Sequence, residues 1–569
     1  MIDLHRLFRQ EMRALQEEGK AFGIDFPEAA RYLDRTRFED QDPYVERLIE
    51  SNAMLVSQIR SAAMDIGTSL DHLALEQFAP ELLAPLPSVT VVRFQPTRRL
   101  VEPVEVPSGS VVRSKQTPQA PYGIPFQLTH QVPIVPILVR SAKLVSHQDG
   151  SGEFRLELGW NSIREIESWP GVLRFFLHGD LPIVWAMYHA LTHRVIDCAA
   201  IRDGIAHPVQ VRFQAANLPD YTTQTDFASP LVDARDFLCA DERFRFLDLV
   251  GLDQVFARAL QSIKLVFRLK GPVPRSLERA VSALLFQPNC GVVVNRSVEP
   301  LAGVRWDHTQ SEIVVRPTGG EHREVLSVLS VQGREQSPPA RSITYRRYGS
   351  HARKGTEGVF HSWTIESQKG RRQCYLGLAQ PSLDVPLAEQ NLAIEAVCSD
   401  GDLPNRTLDA KSIRLARKGV PTDIAVSGMM RPSACYRLEG ADRLRSLLLA
   451  VSNAHHLGWL EPERLKDGLR QVLWDPAESK RSLIEGIQEV SVRSGHSLYN
   501  GVAWRRMEGE IRVRDTTCTP DTWDRLGVLQ AFGHVLEGFV RDQTEVGSKY
   551  SFRLKIDPAG VVMEFGDQR

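Results

Sequence analysis

Apolar residues near the start of the chain recur with the spacing of an amphipathic helix. Between Val45 and Ile66 they form one face of a 3.6-residue repeat. Asp42 supplies an N-cap, and Pro43 stands at the first helical position. The pattern predicts a helix of about 24 residues, and Leu70 to Phe78 predicts a second helix. The apolar positions of the first helix are Leu48, Ile49, Leu55, Val56, Ile59 and Ile66.

From about residue 88 the pattern changes to short Val/Ile/Phe segments separated by Gly, Pro, Asn and Asp. Such spacing is typical of sandwich or barrel-like β modules. One helix, Leu181 to His193, is predicted to interrupt them. The predicted strands include Ile134 to Val139, Phe154 to Leu158, Val209 to Phe213, Ile263 to Leu269, Gly291 to Asn295, Glu312 to Val315 and Ile413 to Ala416.

Helical patterns return after about residue 440. Three helices are predicted, at Arg443 to Leu457, Pro462 to Trp474 and Val528 to Asp542, with strands at Glu510 to Arg514 and Tyr550 to Ile556. The predicted fold class is therefore multi-domain α+β, with N-terminal helices, β-rich middle modules and an α+β C-terminal domain. A chain of 569 residues is long enough for several domains. We expect them at 1–87, 88–260, 261–440 and 441–569.

Charge and composition limit the classes of function. The 69 Lys and Arg nearly balance the 70 Asp and Glu, so no overall field attracts nucleic acid or an anionic membrane. Met1 to Gln16 carries too many charges for a secretory signal, and no apolar run is long enough to span a bilayer. The seven cysteines are an odd number and lie far apart in sequence. We expect a cytoplasmic protein with reduced thiols.

Candidate catalytic chemistry is sparse. His189 and His193 lie one helical turn apart and could share a metal ion, but Ala190 stands where a zinc hydrolase needs its general-base glutamate. A packed helix with partly exposed histidines is the alternative. No nucleophile, base and orienting group recur in a known pattern. The sequence therefore predicts no enzyme, no cofactor and no metal site.

One local charge excess stands out. Arg341 to Arg372 contains eight Lys or Arg against two Glu. The segment could dock an acidic partner or a nucleic acid, or it could be a solvated loop. The basic residues that we expect at a partner surface are Arg346, Arg347, Arg353 and Lys354, and the aromatic residues that could anchor the partner are Tyr345, Tyr348 and Trp363.

Motifs in a fixed order carry a family resemblance over nearly the whole chain. Asp42-Pro43-Tyr44-Val45-Glu46-Arg47-Leu48-Ile49-Glu50 resembles the Asp-Pro-Tyr-Val-Glu-Arg-Leu-Leu-Glu of the TssF family, also called VasA or ImpG, from the baseplate of type VI secretion systems. Further matching segments lie at 80–88, 174–180, 244–249, 289–295, 402–404 and 532–539.

The resemblance implies structural work and no catalysis. TssF proteins assemble with TssG, TssE and TssK around the VgrG hub, with a second TssF copy in each wedge, on the cytoplasmic side of the bacterial envelope. The N-terminal helices would bundle with TssG. The interface residues expected on these helices are Tyr44, Arg47, Leu48, Leu55, Val56 and Ile59.

Overall fold

A computed structural model gives the fold of the chain. It describes residues 4–28, 43–96, 100, 103–118, 120–148, 150–160, 171–202, 205–221, 229–254, 262–307, 312–320, 322–336, 342–347, 358–366, 372–379, 389–421, 424–438, 440–475, 477–499, 502–544 and 548–566.

Helices occur at both ends of the described chain and between the strands of its middle. In chain order the α-helices α1 to α11 are Leu4–Asp25, Pro43–Phe78, Pro80–Leu83, Leu181–His193, Pro230–Cys239, Arg275–Ala280, Leu403–Thr407, Ala441–Leu457, Pro462–Val472, Glu478–Glu485 and Trp523–Asp542. Short 3-10 helices lie at Asp241–Arg245, Leu252–Gln254, Ala283–Leu285 and Ala410–Ser412.

Strands dominate the middle of the chain. In chain order the strands β1 to β29 are Val89–Pro96, Val104–Val106, Val111–Ser114, Pro125–Leu128, Val132–Ile134, Ile137–Ser146, Gly152–Trp160, Val172–Leu177, Val195–Arg202, Ile205–Val209, Arg212–Ala215, Phe246–Val250, Ser262–Leu269, Phe286–Pro288, Cys290–Val294, Ser297–Pro300, Val304–Trp306, Glu312–Val315, Glu324–Glu335, Ser342–Arg347, Gly358–Glu366, Arg372–Ala379, Gln390–Ser399, Ile413–Lys418, Ile424–Gly428, Ile487–Tyr499, Val502–Arg514, Lys549–Asp557 and Val561–Gly566.

The two helices predicted between residues 45 and 78 are one. Helix α2 runs for 36 residues from Pro43 to Phe78 without interruption. Gly67 lies where the apolar pattern weakens, but a glycine inside a helix costs only about 1 kcal/mol. The helix continues because no proline occurs until Pro80. The division predicted before Leu70 was therefore wrong.

A six-stranded antiparallel sheet, the central sheet, joins distant parts of the chain. Its strand order is β24-β3-β4-β15-β1-β25. Strand β1 pairs with β15 on one side and with β25 on the other. The start, middle and later part of the described chain therefore meet in one sheet.

Two further sheets pack beside the central sheet. One is five-stranded, β10-β9-β13-β7-β6, and the other is four-stranded, β11-β12-β8-β14. Buried phenylalanines lie between them, with ring centroids of Phe154 and Phe286 separated by 5.3 Å and those of Phe213 and Phe267 by 5.1 Å. The two sheets thus share one apolar layer.

A domain boundary at 260/261, as expected from the sequence, would divide the five-stranded sheet. Strand β13 begins at Ser262, after that boundary, and pairs with β7 and β9, which precede it. Strand pairing links segments distant in sequence, and local composition carries no signal of it. Whether the four expected segments fold independently stays a prediction.

Residues 296–399 form an insert in the central sheet. The chain leaves that sheet after β15 and returns to it at β24. The strands between them form a separate sheet in the order β16-β23-β19-β20-β21-β22-β18, and β17 also pairs with β23. The buried apolar residues of the insert form a cluster of their own. The insert is therefore a distinct packing unit.

The C-terminal region (440–566) ends in the sheet β26-β27-β28-β29. Strands β27 and β28 are parallel, and α11 supplies the crossover that parallel neighbours need. Helix α11 crosses α4 closely at Gly527, where a Cβ atom would overlap the carbonyl oxygen of Trp185. This contact joins the C-terminal region to the middle of the chain.

One large apolar core runs through the five- and four-stranded sheets, the C-terminal region and the end of α2. The architecture is multi-domain α+β, and the fold class predicted from the sequence is confirmed. Among the helices in the described ranges, none has the length and hydropathy needed to cross a membrane.

Candidate assembly interface

Helices α1 and α2 form a hairpin at the N-terminal end. Leu7 of α1 is buried, as are Ala53 and Ser57 of α2. An ion pair joins Arg60 on α2 to Glu11 on α1. The face of α2 that carries Ala53 and Ser57 is therefore the face turned toward α1.

The opposite face of α2 presents large apolar side chains to solvent. Tyr44, Leu48, Leu55 and Ile59 are 78, 72, 57 and 60% exposed. At 100° per residue their positions fall within about 60° of one another, and they extend over about 22 Å of the helix. We call these four residues the apolar stripe. An exposed apolar patch of this kind marks a site of interaction.

The other predicted interface residues of α2 lie at the margins of this stripe. Arg47 is exposed, and Val56 is half-buried. Leu70, which the sequence analysis did not select, is 61% exposed, and the helical repeat places it on the same side of α2 as Ile59. Treating α2 as one continuous helix would have identified it.

A groove lies beside the apolar stripe. It has a volume of about 450 Å³ and is lined by Phe8 of α1 with Met54 and Leu55 of α2, and by polar residues that include Glu50 and Gln58. An apolar floor with polar edges suits the apolar face of another amphipathic helix.

The C-terminal half of α2 is anchored in the body of the protein. Leu75 belongs to the large apolar core, and Nε of Arg445 on α8 donates to Oδ2 of Asp71 over 3.0 Å. Glu76, which is buried, pairs with Arg347 of the insert over 2.6 Å. Helix α2 is thus held at one end and presents the apolar stripe at the other.

The basic segment of the insert is arranged differently from the sequence prediction. Arg347 is engaged within the chain by Glu76, and Arg346 is half-buried. Arg353 and Lys354 lie outside the described residues. The segment therefore does not present all its positive charge to a partner.

The predicted aromatic anchors of this segment also need correction. Tyr345 is buried in the core of the insert, and its hydroxyl donates to Oε1 of Gln390 over 3.0 Å. Tyr348 lies outside the described residues, as does the side chain of Trp363. Tyr345 as a surface anchor was wrong, because its position on β20 places it on the same face as buried Ile343.

His189 is a core residue and does not form an open metal site. Its Nδ1 lies 3.0 Å from Oε1 of Gln530, and Nε of Arg194 lies 3.4 Å from its Nε2. The ring stacks on that of His193 at 5.3 Å. Burial lowers the pKa of His189 to about 3. Both ring nitrogens are occupied by protein groups, so the geometry gives no support to a hydrolase.

No other metal centre replaces it within the ranges that the structure covers. No group of three or more His, Cys, Asp or Glu is arranged there to hold an ion. All seven cysteines are buried, and none of them forms a disulfide. Burial raises the pKa of the Cys239 thiol to about 11, so this thiol stays protonated and unreactive at neutral pH.

Segments that carry the family resemblance form joints between strands. Arg174 on β8 lies opposite Asp248 on β12, and its guanidinium donates two hydrogen bonds to the carboxylate at 2.7 and 2.8 Å. The side chain of Asn289 accepts from the Val135 N–H over 2.9 Å and donates to its carbonyl over 2.7 Å. These motif residues hold the fold together.

A second joint closes the insert. The Asn295 amide donates to Oδ2 of Asp400 over 3.0 Å, and the Asp400 N–H donates to Oδ1 of Asn295 over 2.8 Å. Asp400 also accepts from the Tyr122 hydroxyl over 3.1 Å and lies 3.5 Å from Nε of Arg323. We call these four residues the insert junction. Burial, reinforced by Asp400, raises the pKa of Tyr122, so its hydroxyl keeps the proton that it donates.

A β-rich body, a projecting apolar helix and motif residues used as structural joints are the features of a protein that works by assembly. Comparison with known families identifies the family to which the chain belongs. The family model described as "Type VI secretion system, TssF" matches residues 1–568. The chain belongs to the TssF family, which confirms the resemblance seen in its motifs.

Relatives of known sequence and structure agree. The chain is 24% identical over 539 residues to the type VI secretion system component TssF1 of Pseudomonas aeruginosa, covering 85% of this chain and 86% of the relative. It matches a chain of the TssK-TssF-TssG baseplate subcomplex determined by cryo-electron microscopy with a TM-score of 0.75 and 19% identity, over 92% of this chain and 99% of that one.

A second solved structure gives the same fold. A chain of the baseplate complex from the type VI secretion system matches with a TM-score of 0.59 and 17% identity, over 100% of this chain and 99% of that one. The fold is therefore that of baseplate chains along its whole length.

Proposed function

We propose that this chain is a structural subunit of the type VI secretion baseplate and binds TssG through the apolar stripe of α2. Family membership supplies the setting, and the exposure of Tyr44, Leu48, Leu55 and Ile59 is the observation that carries the proposal. Fully burying a large apolar side chain contributes about 1.5 to 3 kcal/mol. Four of them on one face provide the driving force for a stable contact.

The shape of this surface specifies the kind of contact. The stripe and the groove adjoin on α2, and Leu55 contributes to both. An amphipathic helix of TssG would lay its apolar face along them, as in a helix bundle. Arg47 lies at the margin of the stripe and Glu50 lines the groove, and their charges would set the register of the bound helix.

The remaining partners follow from the family. We infer that the chain also contacts TssK, TssE, the VgrG hub and a second copy of itself, and that it works at the cytoplasmic side of the envelope. Two solved relatives come from baseplate assemblies, one of them named for TssK and TssG, which supports the first of these contacts. Nucleic acid and membrane insertion have no part in this function.

We infer further that the chain acts without catalysis. The candidate metal histidine His189 uses both ring nitrogens within the core, and the motif residues Arg174 and Asp248 bond to each other. These groups are occupied in the folded protein and have none of the exposed, converging geometry that a reaction requires.

Co-purification tests the central proposal. Leu48→Asp combined with Leu55→Asp should abolish recovery of co-expressed TssG, because two charges would be buried without partners in the contact. Leu449→Asp is the matched control, since Leu449 on α8 is also 57% exposed but lies outside the stripe. Circular dichroism should show that all variants stay folded. Undiminished recovery of TssG with the double variant would refute the proposal.

A further inference from the structure

Strand β26 is an open edge of the C-terminal sheet. It pairs with β27 on one side, and no described strand lies on the other. The segment from Gln488 to His496 contains no proline, and the residues from Val492 to His496 are exposed. Unpaired N–H and C=O groups along such an edge are a template for another strand.

The two faces of β26 differ in character. Val490 lies opposite Ile511, and Val492 opposite Gly509, which packs beneath Val540 of α11. The valines therefore lie on the apolar, helix-covered face of the sheet. They sit at its margin, where Val490 is half-buried and Val492 is exposed.

The other face of β26 is polar. Glu489, Ser491 and Arg493 alternate with the valines along the strand and lie on this face. Glu489 pairs with Arg512 on β27 over 2.9 Å. Arg493 is exposed and lies opposite Glu508 on β27, but Glu508 pairs with Arg506, and no ion pair joins Arg493 to any described residue. The strand thus carries one acidic and one basic residue on either side of a serine.

This order of residues is complementary to itself. If two copies of β26 run antiparallel with Ser491 facing Ser491, each Glu489 faces Arg493 of the second copy, and each Val490 faces Val492 of the second copy. Opposite charges then pair on the polar face and valines pair on the apolar face. Facing pairs of these kinds stabilise antiparallel strands.

Other symmetric registers lose this match. Moving the axis to Val490 or Val492 leaves Glu489 and Arg493 without each other. An axis at Glu489 or at Arg493 places like charges directly opposite, which is destabilising. The register centred on Ser491 alone satisfies both faces.

We propose that β26 is a contact between two copies of this chain, which pair antiparallel about Ser491 and join their C-terminal sheets into one of eight strands. Both α11 helices would then lie on the same side of the joined sheet. The contact gives Arg493 an acidic partner and covers Val492. It gives a site to the contact with a second copy that the proposed function includes, and it is independent of the proposed binding to TssG, since it lies on a different region and requires only this chain.

The contact is small. Five facing residues on each strand bury much less than the roughly 1,600 Å² of a standard stable interface. We therefore expect weak, reversible association of the purified chain, which becomes effective where an assembly holds two copies near each other. A covalent trap is the appropriate measurement.

Cysteine cross-linking provides that trap. In the proposed register the two Ser491 Cα atoms lie about 4.5 to 5.5 Å apart, within the range for a disulfide. Ser491→Cys should therefore form a covalent dimer of the full-length chain under mild oxidation. The background is low, because all seven native cysteines are buried.

Ser494→Cys is the matched control on the same strand. Ser494 is exposed, but in this register it lies about 20 Å from Ser494 of the second copy. It should give little dimer. Equal cross-linking of the two variants would overturn the proposal. So would the absence of cross-linking with Ser491→Cys at high protein concentration, and the edge of β26 would then be a site for a strand of a different protein.

A charge exchange tests the register. In the Ser491→Cys background, Glu489→Arg or Arg493→Glu alone should slow cross-linking about tenfold, because two facing pairs become like-charged. The double exchange should restore the rate, since the pairs are opposite again. A merely structural role for Glu489 through Arg512 would not produce this rescue. Failure of the double variant to recover would refute the register.

Discussion

The C-terminal region and the insert are attached to the same body by different means. Residues of the C-terminal region, such as Trp523 and Phe532, are buried in the large apolar core, and the Phe532 ring stacks on Phe237 at 6.0 Å. The insert keeps its apolar residues in a cluster of its own. It meets the rest of the protein through polar groups, which include the insert junction and the ion pair between Arg347 and Glu76.

This difference has energetic consequences. Separating the C-terminal region would expose apolar surface, whose cost grows with area. Separating the insert would exchange buried hydrogen bonds and ion pairs for water, and the cost is concentrated in a few groups. Single substitutions should therefore disturb the whole molecule in the first case and one unit in the second.

The largest effect is expected at the crossing of α4 and α11. Gly527→Leu should destabilise the protein by about 3 kcal/mol or more, because backbone and not a movable side chain occupies the space. Soluble yield and urea unfolding measure this. Gly538→Ala on the same helix is the control, since its nearest contact, Pro230 Cβ, lies at an ordinary 3.6 Å. The control should be neutral or slightly stabilising.

Removing the Asp400 carboxylate should loosen the attachment of the insert and leave the rest of the protein folded. Asp400→Ala leaves Asn295, Tyr122 and Arg323 without their buried acceptor, at a cost of about 3 kcal/mol. Limited proteolysis should then cut near residues 296 and 400 while the C-terminal region stays resistant. Glu395→Ala, on the exposed face of β23, should leave the pattern unchanged. General loss of resistance would contradict the polar attachment of the insert.

Stability should depend on pH through Glu242 in the body. This carboxyl is buried, with no hydrogen-bond partner for Oε2 in the described chain, and burial raises its pKa from 4.5 to about 7. The native state therefore holds the proton more tightly, and stability is lost as pH rises from about 4.5 to about 7. Glu242→Gln should remove this loss and stabilise the protein by about 1 to 3 kcal/mol at pH 8. Urea unfolding at pH 5 and pH 8 compares the two; an equal difference at both pH values would contradict the assignment.

The smallest effect concerns the contact between the insert and α2. Arg347→Glu should place two carboxylates together at buried Glu76 and cost about 1 kcal/mol, a value reduced by the exposure of Arg347. Hydrogen exchange should increase in the last turns of α2. Arg346→Glu, next to it in sequence, should change little. Equal exchange in both variants would show that the ion pair does not hold α2.

Helices and strands could be predicted from the sequence where the residues that mark them lie within the element itself. Helix α4 was predicted with its observed bounds, because Asp180 and Pro182 mark its start and its apolar residues are continuous. Strand β18 was also predicted correctly. The pairing of β1 with β15 and β25 could not be predicted, because it depends on residues that are distant in sequence.

The candidate assembly interface could be predicted only in part from the sequence. Helical periodicity identified Leu48 and Leu55, but it cannot tell an exposed face from a buried one, since that depends on where α1 packs. The burial of Tyr345 could have been found from its alternation with Ile343. The engagement of Arg347 by Glu76 joins residues 271 positions apart and leaves no trace in local composition.

The mutual hydrogen bonds of Asn295 and Asp400 bear on the order in which the chain folds. These residues are 105 positions apart, yet they bring the two ends of the insert side by side. If the insert folds first, the two halves of the central sheet are joined by a short link in place of a long flexible one. Closing a loop of that length would otherwise cost about 3 kcal/mol more than closing a tight turn. The junction thus shortens the search by which β15 and β24 find the same sheet.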